Sequence, residues 1–169
     1  NQDRNYFAAA MLALGEADAM ITGTTRPFSQ SLRQVRQVID DEKDAVPFGI
    51  NVVVARNRTV LIADTAVTER PNARELAAIA MRSAGFARRM GLEPRVAFIS
   101  YTTFGNPPGT HIEDLRGAVK LLDGLACDFE YEGEMGPDVA LNYDMQRRFY
   151  PFSRLTGPAN VLVMPGLQS

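Results

Sequence analysis

The stretch Val60-Leu61-Ile62-Ala63-Asp64-Thr65-Ala66-Val67, followed by Thr68-Glu69-Arg70-Pro71 and by Asn72-Ala73-Arg74-Glu75-Leu76 on to Gly91, decides the fold. Val60, Leu61 and Ile62 form a continuous apolar, β-branched run of the kind a strand covered on both faces requires. Asp64 falls where that run breaks, as a turn residue or as a site. Asn72 and Glu75 have capping-box spacing: the first side chain can accept from orphan N–H groups while the second reaches back to the N-cap amide. Leu76, Ile79, Ala80, Ala84, Ala87 and Met90 then recur at helical spacing, and Gly91 stands where a left-handed C-cap ends such a helix. Strand, turn and capped amphipathic helix together indicate α/β architecture.

The same reading extends outward on both sides. Tyr6 to Leu14 is helical, with Gly15 ending it. Asp18 to Ile21 reads as a short strand, and Thr22-Gly23-Thr24-Thr25-Arg26-Pro27 as a loop opening a helix, with Thr25 or Arg26 at its cap. Phe28, Leu32, Val35 and Ile39 make the expected buried stripe of that helix, with Arg33, Arg36 and Gln37 on or near the other face. Phe48 to Val54 is a strand that a turn at Asn57-Arg58 joins to the decisive strand as a β-hairpin. Val96 to Tyr101 is the next buried strand, and Thr102 to Gly109 a loop rich in Gly and Pro. Thr110 and Glu113 suggest a second capping box for a helix to Ala126 carrying Ile112, Leu115, Val119, Leu122 and Leu125. Phe129 and Tyr131 alternate with Glu130, Glu132 and Glu134, the pattern of a strand with one wet face. Val139 to Phe149 reads as one helix and Asn160 to Met164 as the last buried strand. Alternation at this spacing predicts a three-layer α/β/α domain with a largely parallel sheet plus a β-hairpin. No linker divides residues 1–169, which read as a single α/β domain.

Composition excludes several classes. With 169 residues and 46% hydrophobic content the chain can bury a sizeable core. A net charge of −2 offers no broad surface for a polyanion, so no nucleic-acid partner is expected. No apolar run approaches the roughly 20 residues of a membrane span, and no signal peptide is visible, so no membrane partner is expected either. A single cysteine, Cys127, fits a reducing, cytoplasmic compartment. The chain lacks an initiating Met, starts within a helical pattern and stops just after a strand, and is read as a fragment of a longer polypeptide.

Four places offer chemistry. Thr22 to Arg33 brings a loop of small residues to a helix start, where free N–H groups and Arg26 and Arg33 suit an anion; an ordinary loop with solvated arginines is the alternative, since no P-loop spacing is present. Ser100-Tyr101-Thr102-Thr103-Phe104-Gly105-Asn106 stands at a strand's carboxyl end, where open α/β sheets bind ligands; an ordinary surface loop is the alternative. The Glu130, Glu132 and Glu134 row is read as a solvated strand face rather than a cation site. His111, the one histidine, lacks a nucleophile-elbow motif to support a triad.

Taken in order, the segments resemble the phosphotransacetylase family. The residues that carry the likeness are Gly15-Glu16-Ala17-Asp18-Ala19-Met20 with Gly23 and Arg33, Ile62-Ala63-Asp64-Thr65-Ala66-Val67, Pro94-Arg95-Val96-Ala97-Phe98-Ile99-Ser100-Tyr101, Gly133-Glu134-Met135 with Asp138, and Ala159-Asn160-Val161-Leu162-Val163-Met164-Pro165. Arg88-Arg89-Met90-Gly91-Leu92-Glu93-Pro94, Phe104-Gly105-Asn106-Pro107-Pro108 and Tyr150-Pro151-Phe152-Ser153-Arg154-Leu155 are similar to one subgroup, the phosphotransacetylase-like C-terminal domains of large NADP-dependent malic enzymes. Two departures stand out. Arg26-Pro27-Phe28 occupies the place of the family's His-Thr-Thr or His-Ser-Thr cluster, and Phe104-Gly105-Asn106-Pro107-Pro108 replaces a loop rich in glycine and serine.

The resemblance implies the isocitrate/isopropylmalate dehydrogenase-like fold of phosphotransacetylases, of which this chain would be the second subdomain. It implies no catalytic residue and no metal site in the segment itself. Acetyl-CoA would be an effector, with Thr24, Thr25, Arg26, Arg33, Tyr101, Thr102, Thr103 and Phe104 as its binding residues. NADP and a divalent metal would serve the catalytic region of the parent chain, which oxidatively decarboxylates malate to pyruvate. The implied partners are that catalytic domain and further copies in a homo-oligomer. An acetyltransferase acting between CoA and phosphate and a purely structural dimerisation module are the alternatives.

Overall fold

A computed structural model describes residues 3–40, 46–55, 57–107 and 112–166 of the chain. It divides into two compact units, Asn1–Ala45 and Val46–Ser169.

The first unit contains α1 (Arg4–Ala13) and α2 (Phe28–Arg36). The Asp3 side chain caps α1 by accepting from the Asn5 amide. Pro27 itself occupies the N-cap of α2, so neither Thr25 nor Arg26 caps it. The expected strand Asp18–Ile21 is not formed, because the described part of this unit offers it no edge to pair with. The stripe of α2 is also inverted. Ser31 and Gln34 are buried, whereas Phe28 is exposed and Leu32, Val35 and Ile39 are only partly covered. The reason is a side-chain network. Asn5 donates from Nδ2 to Gln34 Oε1 at 2.7 Å, Thr22 Oγ1 donates to Asn5 Oδ1 at 2.6 Å, and Gln34 Nε2 donates to Asp3 Oδ2 at 2.9 Å. Paired amides can be buried where unpaired ones could not.

The second unit is the α/β body. β1 (Ile50–Ala55) and β2 (Arg58–Ala63) form the antiparallel hairpin. α3 (Ala73–Arg89), β3 (Arg95–Ile99), α4 (Glu113–Asp123), β4 (Glu130–Met135), the short helices α5 (Pro137–Leu141) and α6 (Tyr143–Phe149), and β5 (Val161–Val163) follow. The sheet order is β1-β2-β5-β3-β4, with β2, β5, β3 and β4 mutually parallel. Alternation along each strand feeds two cores. Leu61, Ala63, Phe98 and Val161 pack under α3 and α4 on one face. Val60, Ala97, Ile99 and Leu162 pack with α5, α6 and the chain after them on the other. The expected three layers and hairpin are therefore present.

Local rules account for α3 in full. The Asn72 side chain accepts from the Arg74 and Glu75 amides, and Glu75 accepts from the Asn72 amide, which closes the capping box. At the other end the Leu92 amide reaches the Ala87 carbonyl and the Gly91 amide the Arg88 carbonyl, the Schellman pattern that needs the positive φ of Gly91. Leu76 and Ile79 are fully buried, an apolar contribution of roughly 1.5–3 kcal/mol apiece. Met90, expected in the stripe, is exposed.

Three other expectations change. Asn142 leaves helical geometry, with φ −121° and ψ 97°, and caps a new helix by accepting from the Met145 amide. The single helix expected over Val139–Phe149 is therefore two. α4 starts at Glu113 with Ile112 as N-cap, so Glu113 is the first helical residue rather than the third; Thr110, the expected cap, and His111 lie outside the described residues. The acidic face of β4 is not wet: Glu132 and Glu134 are buried.

Asp64 resolves as a structural residue. Its carboxylate is 1% exposed and accepts four backbone N–H groups. Oδ1 takes Gly49, Ala66 and Val67 at 2.9–3.1 Å, and Oδ2 takes Thr68 at 2.8 Å. One carboxylate thus folds the turn after β2 and fixes the approach to β1. Asp64→Ala would leave several buried amides unpaired, so a loss of at least about 3 kcal/mol is expected in denaturant unfolding of the protein. A loss below about 1 kcal/mol would contradict this role.

Candidate functional site

The carboxyl ends of β3 and β4 are the place to look first. After β3 the chain passes to α4 on one face of the sheet, and after β4 it passes to α5 on the other. Adjacent parallel strands whose connections diverge in this way open the crevice where α/β sheets take ligands. The segment Ser100–Pro107 enters that crevice.

Its conformation is held from within. Phe104 and Gly105 are consecutive left-handed residues, with φ 47° and 86°. Such geometry is unfavourable for phenylalanine and persists only when neighbouring groups impose it. The Phe104 amide donates to the Glu134 carbonyl at 2.9 Å, and the Gly105 amide donates to Glu134 Oε1 at 2.7 Å. Thr103 and Asn106 exchange backbone bonds across the turn at 2.9 and 3.1 Å. Thr103 Oγ1 accepts from the Gly136 amide at 3.0 Å, which ties the loop to the end of β4. The Phe104 ring packs against Phe152 at 4.8 Å and Tyr150 at 5.3 Å between centroids. Beside Tyr150 lies an open, mainly polar pocket of about 280 Å³, lined by Tyr143, Gln146, Arg147, Ser153 and Leu155 among others.

Glu134 is the centre of this arrangement. It is 1% exposed, and Arg116 on α4 grips it in a fork, Nε to Oε2 and Nη2 to Oε1, both at 2.9 Å. Burial alone would push its pKa up; the bonds from Arg116 and the Gly105 amide outweigh this and hold it below the usual glutamate value. Arg116 is held correspondingly higher, chiefly by its hydrogen bonds to Glu134.

The other two glutamates of β4 act on the chain after α6. Glu130 accepts from the Thr156 amide at 2.8 Å and from its hydroxyl at 2.6 Å. Glu132 accepts from the Arg154 amide and side chain at 3.0–3.2 Å. Arg154 reaches onward to Asp123 at the end of α4, at 2.6 Å, and lies 4.7 Å above the Tyr131 ring. Tyr131 and Glu132 point to opposite faces, so Arg154 wraps the outer edge of β4. Burial works against the Arg154 charge, but Glu132 and Asp123 more than compensate and raise its pKa. Asp123 is lowered, first by its bond to Arg154. Among the described residues no group of three His, Cys, Asp or Glu side chains is placed to hold a metal ion.

The eight expected effector residues divide between the two units. Thr24, Thr25, Arg26 and Arg33 belong to the first. Thr24 and Thr25 are exposed, Thr24 with φ 64°. Arg26 is already paired with Asp3 at 2.5 Å. Arg33 is exposed and makes no ion pair among the described residues. Tyr101, Thr102, Thr103 and Phe104 belong to the second unit. Tyr101 is 67% exposed, whereas Thr102 is 0% exposed, with its hydroxyl against Ser100 and Glu134. Thr102 supports the loop from beneath instead of offering a hydroxyl to solvent. Glu134 and Arg116, which shape the loop, were not among the expected residues. Glu134 carried a signal in Gly133-Glu134-Met135; Arg116, one turn into an ordinary amphipathic helix, carried none. Cys127 is half-buried beside the α3/α4 core, and burial raises its thiol pKa.

Comparison with known proteins fits this geometry. The family model described as phosphate acetyl/butaryl transferase matches residues 1–169, and the chain belongs to that family. It is 53% identical over its whole length to an NADP-dependent malic enzyme of Rhizobium meliloti, of which it spans 22%. It is 34% identical to a phosphate acetyltransferase of Thermoanaerobacterium thermosaccharolyticum, covering 99% of this chain and 54% of that protein. Among solved structures, a phosphotransacetylase from Streptococcus pyogenes superposes with a TM-score of 0.85 at 28% identity, over 98% of this chain and 51% of the other. The chain thus spans about a fifth of the malic enzyme and half of the acetyltransferases. No helix among the described residues is long and apolar enough to cross a membrane.

A carboxylate whose folded pKa lies below its ordinary value contributes stability that is present above the ordinary value and is lost as pH falls through the lowered one. Glu134 and Asp123 both stand in this position. Stability is therefore expected to fall as pH drops below about 4.3, and Glu134→Gln to flatten that fall in urea unfolding at successive pH values. An unchanged slope in the variant would contradict the assignment.

Proposed function

We propose that this chain is the phosphotransacetylase-like region of an NADP-dependent malic enzyme and that it senses acetyl-CoA on behalf of the catalytic region. The observation that carries this reading is the 53% identity across the entire chain to a malic enzyme of which it spans only 22%. NADP, a divalent metal and the decarboxylation of malate belong to the remainder of the parent protein. This region supplies effector binding and contacts within a cytoplasmic homo-oligomer, and has neither nucleic acid nor membrane as a partner.

The chemistry of the residues supports an effector of this kind. The phosphates of CoA call for cations, and Arg33 has its charge uncommitted among the described residues. Arg26, neutralised by Asp3, is the weaker contributor. Thr24 and Thr25 add exposed hydroxyls. Within the second unit, taken by itself, Tyr101 and Phe104 offer apolar surface of the kind a pantetheine arm takes, with Thr102 and Thr103 holding that loop from beneath. Regulation follows only if acetyl-CoA binds the low-activity state of the enzyme more tightly than the active one.

The likeness to phosphate acetyltransferases favours a second reading, transfer of acetyl between CoA and phosphate. That reaction needs donors placed around a tetrahedral intermediate, and Arg26-Pro27-Phe28 stands where the resembled family carries a hydroxyl cluster. Isothermal titration of the full-length protein with acetyl-CoA is expected to give saturable binding, weakened about tenfold or more by Arg33→Ala, a loss of at least one phosphate contact of about 1.5 kcal/mol. Absence of binding would leave a purely structural oligomerisation role. Turnover of acetyl phosphate with CoA would replace the sensing reading by the acetyltransferase one.

A further inference from the structure

We propose that Glu134, gripped by Arg116, is the positioning residue of the 101–107 loop and thereby sets the affinity of this site for its acyl-CoA effector. The inference rests on the sensing reading for its ligand, but its structural half stands without it.

Three observations converge on Glu134. Its backbone carbonyl and its carboxylate take the amides of the two left-handed residues, Phe104 at 2.9 Å and Gly105 at 2.7 Å. A single residue therefore holds both amides of the loop's least favourable segment. The carboxylate is buried and is fixed in turn by two bonds from Arg116 on a different element. Finally, Arg116 stands over Gly105: a Cβ there would lie 2.9 Å from its Nη2, the same nitrogen that bonds Glu134. The loop, the carboxylate and the guanidinium thus form one packed unit at the crevice between β3 and β4.

The consequence concerns the exposed side of the loop. Tyr101 is solvent-accessible, and Phe104 is turned onto Tyr150 and Phe152 because its backbone is left-handed. Releasing Gly105 lets the segment leave that conformation, so Tyr101 and the cluster of Phe104 with Tyr150 and Phe152 lose their fixed places. A ligand must then order the loop as it binds, which weakens affinity without removing any contact group. Glu134 and Arg116 act through the loop and do not touch the ligand themselves.

The experiment uses the full-length protein, with acetyl-CoA as the titrant and amide hydrogen exchange at residues 102–106 as a second readout. Glu134→Gln keeps the size of the side chain and removes its charge. It is expected to weaken acetyl-CoA binding tenfold or more and to speed exchange of the loop amides by a similar factor. Gly105→Ala, which leaves Glu134 intact but strains the left-handed backbone at φ 86° and crowds Arg116, is expected to do the same. Glu130→Gln, on the same strand but bonded to Thr156, is expected to change binding less than twofold. Wild-type binding with unchanged affinity in Glu134→Gln would overturn the inference. Absence of wild-type binding would remove the effector reading alone; exchange then decides, and an unaltered loop in Glu134→Gln would overturn the positioning role as well. Should Glu134→Gln fail to fold, Gly105→Ala carries the same two readouts.

Discussion

The acidic row of β4 is the constraint on which the second unit depends. β4 is the outer strand of the sheet, and an outer strand leaves half its backbone groups without a strand partner. Here Glu130, Glu132 and Glu134 fasten other segments to it: the backbone at Thr156, the backbone and guanidinium of Arg154, and the Gly105 amide with Arg116. A carboxylate taken out of water is costly unless it is paired and hydrogen-bonded, and the two buried ones, Glu132 and Glu134, are both. The row therefore specifies where three segments lie more than it adds net stability.

The same device recurs at the end of β2. Asp64 gathers four amides, as Glu134 gathers a loop at the end of β4. In both cases a buried carboxylate at a strand's carboxyl end replaces the helix or sheet partners that loop amides lack. The two differ in what lies above them. Asp64 closes its turn on itself, whereas Glu134 supports a loop that carries an exposed Tyr101 and an aromatic cluster. That difference makes the end of β4, and not the end of β2, the candidate site in this sheet.

Elements whose formation is governed by local rules could be read from the residues. The Asn72–Glu75 capping box, the Gly91 terminus, the buried β2 run and the hairpin all follow from spacing that needs no tertiary information. Errors arose where tertiary pairing overrode the pattern. Alternation along β4 correctly made it a strand, but period two shows neither that Arg154 covers Glu132 nor that an irregularity after Gly133 takes Glu134 out of the alternation to meet Arg116. Ser31 and Gln34 were hidden for the same reason, since only a partner such as Asn5 makes a buried amide acceptable. Asn142 was missed because a cap inside an apolar helical period looks like a surface position. The position of the 101–105 loop after β3 was legible in the residues, while Arg116 had no local mark.

The family fold and a loop held by a buried carboxylate support the proposed role of a sensor attached to a larger enzyme. Its most direct test is the steady-state rate of malate oxidation by the full-length protein as acetyl-CoA is raised, set beside the same protein lacking this region. The account predicts that acetyl-CoA lowers the rate of the intact protein and leaves the shortened one unaffected. Equal inhibition of both, or an intact enzyme indifferent to acetyl-CoA, would contradict it.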